Sequence, residues 1–141
     1  MRTHLNTGNV VFDTAPCPAD AIEQKCESLF QETFGFPVTV FARKEADVRA
    51  IRDEARTVLP SDPADSLYVT FLKEMVSAVH PLPALPDGTI RIVRVLGTTV
   101  LTQTSPIPNG TSFPNPFIER EFHCEATSRN IRVIDALCPD S

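Results

Sequence analysis

Nucleophilic catalysis needs a thiol or hydroxyl within hydrogen-bond reach of a base, and His123-Cys124-Glu125 sets a thiol beside both an imidazole and a carboxylate. Read as part of a strand, however, neighbouring residues point to opposite faces, so the trio is not expected to act as a nucleophile and base. His4 and His80 have no carboxylate at ligand spacing, and Cys17, Cys26, Cys124 and Cys138 form neither a C-x-x-C pair nor a zinc-ligand pattern. The chain has no G-x-S-x-G elbow, phosphate-binding loop, H-E-x-x-H helix or dinucleotide glycine fingerprint. Neither a catalytic set nor a metal or cofactor is therefore expected.

A better candidate is a polar cluster drawn from the two ends of the chain. Asn6, Gly8 and Asn9 fall in a hairpin turn, while Thr127, Arg129 and Asn130 fall where the last strand passes into the last helix. An arginine beside free backbone donors at a helix start suits a carboxylate or phosphate. The plainer account is that Asn130 caps the helix, Gly8 and Asn9 shape the turn, and Arg129 pairs with a surface carboxylate.

The elements that must position this cluster follow from hydrophobic spacing. Two short strands are expected on either side of Asn6-Thr7-Gly8-Asn9, ending in Val10-Val11-Phe12. Residues 18–34 carry Ile22, Cys26, Leu29, Phe30 and Thr33 at helical spacing before Gly35, and Cys26 is expected in the core. Residues 37–43 alternate as a strand, and 44–59 return to helical spacing through Val48, Ile51, Ala55 and Val58 until Pro60. Arg49, Arg52 and Arg56, interleaved with Glu45, Asp47, Asp53 and Glu54, are expected on a solvated helix face. Residues 67–72 form a compact apolar strand, expected at the centre of a sheet, and His80 to Gly88 is a proline-rich loop. A hairpin through Leu96-Gly97 joins strands at 89–95 and 98–102. After a loop over 105–114, Asn115 is expected to cap a short helix bearing Phe117, Ile118 and Phe122. Residues 126–129 are extended, and Asn130 caps a final helix with Val133, Ile134 and Leu137 on one face.

Strands and helices in this order make an α+β chain, and 141 residues suffice for one domain with its own core. The 42% apolar and 22% charged content excludes wholesale disorder, and a net charge of −5 without a basic stripe argues against nucleic acid as a partner. No apolar run approaches the roughly 18 residues that a membrane span requires, nor does the N-terminus read as a signal peptide, so a soluble, cytoplasmic protein is expected.

Four segments in order resemble one family: Asn6-Thr7-Gly8-Asn9-Val10-Val11-Phe12, Phe34-Gly35-Phe36-Pro37-Val38, Tyr68-Val69-Thr70-Phe71-Leu72 and Ala126-Thr127-Ser128-Arg129-Asn130. Together they are similar to the DUF-1697 family of unknown function, over about Arg2 to Leu137. The resemblance implies two ferredoxin-like (βαββ-type) lobes in tandem, about 1–43 and 44–141. It also implies an opening strand and helix ahead of the first hairpin, which this sequence lacks, leaving the first lobe N-terminally incomplete. An incomplete lobe has an exposed sheet edge, through which a homodimer is expected. Three functional expectations follow. The first is a non-enzymatic binding or interaction module that takes a partner chain or a small anion. The second is an enzyme of unrecognised type acting on a phosphorylated or carboxylated metabolite held by Arg129 and oriented by Asn6 or Asn9. The third is a truncated family member without independent function.

Overall fold

A computed structural model describes residues 2–4, 8–76, 82–108, 110–111 and 113–138, with side chains over 8–76, 82–108 and 113–138. The described residues form a mixed α+β structure around one four-stranded antiparallel sheet, with four helices.

The chain opens with the antiparallel pair β1 (Arg2–His4) and β2 (Asn9–Val11), in register Arg2↔Val11 and His4↔Asn9. Gly8, at φ 78°, takes left-handed backbone just before β2; Asn6 lies outside the described residues. Helix α1 (Ala19–Phe34) ends on Gly35, whose φ of 76° and N–H to the Gln31 carbonyl give the left-handed stop expected of a glycine there. None of its sixteen residues is buried, so Cys26 is half-exposed rather than in the core.

Residues 37–43 depart from expectation. The segment lies outside every strand. Side chains take the place of a neighbouring strand: Val40 N–H donates to Glu27 at 2.9 Å and Ala42 N–H to Glu23 at 2.9 Å. Helix α2 (Glu45–Arg56) follows, with Glu45 and Asp47 favourably placed in its first turn. Arg49 pairs with Glu45 at 2.9 Å and Arg56 with Asp135 at 3.1 Å, as a solvated face would. Arg52 does not belong to that face. It is 5% exposed, donates to the Cys138 carbonyl, and bonds Asp53 at 3.0 Å.

The main sheet has the order β4-β5-β3-β8, all neighbours antiparallel: β3 (Ser66–Leu72), β4 (Ile90–Leu96), β5 (Thr99–Thr104) and β8 (Ala126–Asn130). As expected, β3 is central, and β4 and β5 form a hairpin through Gly97. Arg91 is exposed between buried Ile90 and Ile92, and a bulge between Ile92 and Arg94 shifts the register further on. Alternation along the strands supplies two cores. On one face, Leu72, Val100, Ile92 and Ala126 pack against Phe117 and Ile118 of α3 (Asn115–Phe122). On the other, Leu67, Val69, Phe71 and Leu101 pack against Ala55 of α2, Ile134 of α4 (Ile131–Leu137) and Phe41.

The expected loop over 105–114 contains a small pair, β6 (Pro106–Ile107) with β7 (Gly110–Thr111). Pro114, not Asn115, occupies the cap position of α3. The Asn115 amide instead reaches the sheet, donating to the Ala126 carbonyl at 3.0 Å and accepting from the Ser128 hydroxyl, which also bonds Thr70 at 2.7 Å. His123, at φ 55°, and Cys124 form the turn closing α3 and do not lie on a strand.

Both outer edges of the main sheet are attended. On β8, Ala126 N–H donates to Glu119 and the Ser128 carbonyl accepts from the Arg129 guanidinium. Along β4, Leu85 N–H donates to the Ile90 carbonyl and Ile92 N–H to that of Pro83.

Candidate functional site

The cluster anticipated from the two chain ends is partly assembled. Arg129 projects from β8, which antiparallel pairing with Val69 fixes against the central strand. Its Nε donates to Asn9 Oδ1 at 2.9 Å, a contact across 120 residues. One terminal nitrogen donates to Thr127 Oγ1 at 2.7 Å and to the Ser128 carbonyl at 2.9 Å. Asn9, Thr127 and Arg129 are therefore together, and all three are half-buried. Gly8 shapes the turn before Asn9. Asn130 is committed elsewhere: its side chain accepts from Arg132 N–H at 3.0 Å and caps α4 as expected.

Burial pushes the Arg129 guanidinium below its ordinary value. A guanidinium is so strongly basic that it stays protonated at neutral pH even so. What the arrangement does chemically is hold a partly desolvated cation with a neutral amide and a hydroxyl. An anion binding at Nε or at the bonded terminal nitrogen would have to displace Asn9 or Thr127. Beside the cluster, a cleft of about 120 Å³ is lined by Leu59, Pro60, Asp65, Asn130 and Arg132, among others.

A second polar cluster was not anticipated. Lys73, just beyond β3, lies 3.3 Å from Glu23 and 3.2 Å from Glu27, while Arg43 lies 3.3 Å from Glu23 and donates to the Leu72 carbonyl at 2.8 Å. The Val40 N–H, followed by the lysine's hydrogen bond and charge, holds the Glu27 carboxyl below its ordinary value against the opposing effect of burial. Glu23 and Glu27 share one face of α1 by i,i+4 spacing, a signal legible in the sequence. That they would meet Lys73 was not. Among the described residues, no group of three or more His, Cys, Asp or Glu could hold a metal ion, and no helix is long and apolar enough to cross a membrane.

Fold and clusters together define a mixed α+β protein in which charged side chains tie outlying backbone to a central antiparallel sheet. The chain belongs to the DUF1697 family: the family model, described as a protein of unknown function, matches residues 1–91. That match includes Asn9, Glu23, Glu27, Arg43 and Lys73 and ends at Arg91 on β4, so Thr127, Arg129 and Asn130 lie beyond it. No curated protein and no solved structure matches the chain.

Proposed function

We propose that the chain is a non-enzymatic binding or interaction module, built as two ferredoxin-like lobes over about 1–43 and 44–141, whose first lobe docks another polypeptide. The observation that carries this reading is the apolar surface of the first lobe. α1 buries no residue, and Leu29, Phe34 and Phe36 are 55%, 55% and 56% exposed. Val10 and Phe12 on the hairpin are also exposed. The Phe34 and Phe36 rings stack with centroids 5.9 Å apart, and exposed apolar surface of this kind marks interaction sites. Replacing Leu29, Phe34 and Phe36 together by serine tests it. Unfolding free energy should move little, because surface substitutions usually change it by less than about 0.5 kcal/mol each. Binding of an environment-sensitive hydrophobic dye to the folded protein should fall sharply. Unchanged dye binding, or a loss of several kcal/mol, would mean that these side chains are not a docking surface.

A second reading rests on the assembly of Asn9, Thr127 and Arg129: a phosphorylated or carboxylated metabolite exchanging for Asn9 at the guanidinium, either simply held or acted upon. Inorganic phosphate and acetate should then raise the melting temperature of the parent and leave Arg129→Ala unmoved. Equal shifts in both proteins would remove the anion from this cluster.

A further inference from the structure

In segment 38–44 the Val40 and Ala42 N–H groups face the same side, toward Glu27 and Glu23, which is the alternation of extended backbone, whose successive residues turn their N–H and C=O to opposite edges. The edge bearing Val40 and Ala42 is filled. Their N–H groups go to Glu27 and Glu23, and their carbonyls accept from Lys73 and Arg43. On the other edge, the main-chain groups of Thr39, Phe41 and Arg43 have no hydrogen-bond partner among the described residues. Donors and acceptors on three alternate residues, on the side away from Glu23 and Glu27, form a template for a strand.

We infer that a second copy of this chain fills that edge, its own residues 38–44 pairing antiparallel with these around a two-fold axis through Phe41. This deepens the docking reading given above and rests on it. Such pairing sets Thr39 opposite Arg43, Phe41 opposite itself and Lys44 opposite Val38, so each open group finds its counterpart on the partner. Charge favours the same occupant. Exposed Glu125 accepts from the Thr39 hydroxyl, and exposed Lys44 lies at the other end of the segment. The two-fold axis therefore brings Lys44 of each copy toward Glu125 of the other, twice. Like charges at those two positions would oppose the same pairing.

Sedimentation equilibrium on the full chain over a wide concentration range is the test, with four variants. The parent should dimerise. Thr39→Pro removes an N–H that has no internal partner, together with the exposed hydroxyl's bond to Glu125, and should give a monomer that still unfolds in one cooperative transition. Lys44→Glu and Glu125→Lys should each weaken dimerisation by on the order of tenfold or more, and the double variant should recover most of the loss. A parent that stays monomeric at all concentrations would overturn the inference. So would a dimer indifferent to Thr39→Pro, or a double variant no better than the singles. The serine triple variant separates this result from the broader reading. A monomeric parent that loses dye binding in that variant leaves polypeptide docking standing and removes only the second copy.

Discussion

Two carboxylates on α1 do at residue scale what a neighbouring strand does elsewhere, since Glu27 and Glu23 accept the N–H groups of Val40 and Ala42. The Glu27 carboxyl is held below its ordinary 4.5, with the Val40 N–H the largest cause. A carboxyl depressed on folding stabilises the protein above its unfolded value, and the contribution is lost as pH falls through the folded value. Urea midpoints followed from pH 6 to pH 3 should therefore drop more steeply in the parent than in Glu27→Gln. Parallel curves would show that the carboxylate adds nothing to folding. The sequence made Glu23 and Glu27 neighbours on a helix face, but not what they face, because Lys73 and residues 40–42 arrive through tertiary contacts. Arg129 is a similar case. Its place at a strand-to-helix junction was legible, whereas its bond to Asn9 depends on how the hairpin lies against the sheet. Arg52 was misread because charge spacing describes a helix face without saying which face the core takes.

Among elements, β5 and α1 are opposites. Every residue of β5 is buried, on both faces of the sheet, while α1 buries none. Leu101 is fully buried between α2, α4 and the central strand, so Leu101→Ala should cost about 2–5 kcal/mol of unfolding free energy. A cost below about 1 kcal/mol in urea titration would mean that this core closes around the cavity. Local patterns placed elements well where Gly35 and the Gly97 turn mark their ends without tertiary help, whereas α2, expected to run to Pro60, stops at Arg56. They failed where pairing decides. Residues 37–43 have the composition and alternation of a strand, but a strand needs a neighbour, and the chain brings side chains there instead.

For the molecule as a whole, the buried residues among those described run from Arg52 to Cys138, and the part before them is held largely by polar ties. Native-state hydrogen exchange should reflect this. Amides of α1 should exchange faster than those of β3 and β5 by at least roughly a hundredfold, because local opening there exposes little apolar surface. Equal protection across the chain would indicate a single cooperative unit. The α+β class was legible from element order alone. The four-stranded order β4-β5-β3-β8 was not, since it depends on β8 returning from the far end of the chain to lie beside β3.

The attended edges of the main sheet have a consequence for assembly at high concentration. Glu119, Asn115 and Arg129 occupy backbone groups of β8, and residues 83–85 run along β4, so the four-stranded sheet offers little template for open-ended growth into fibres. The edge at Thr39, Phe41 and Arg43 is different, because a two-fold pairing there uses up the same edge on both copies. Association of the kind proposed at that edge would terminate at two chains, whereas a head-to-tail contact would propagate.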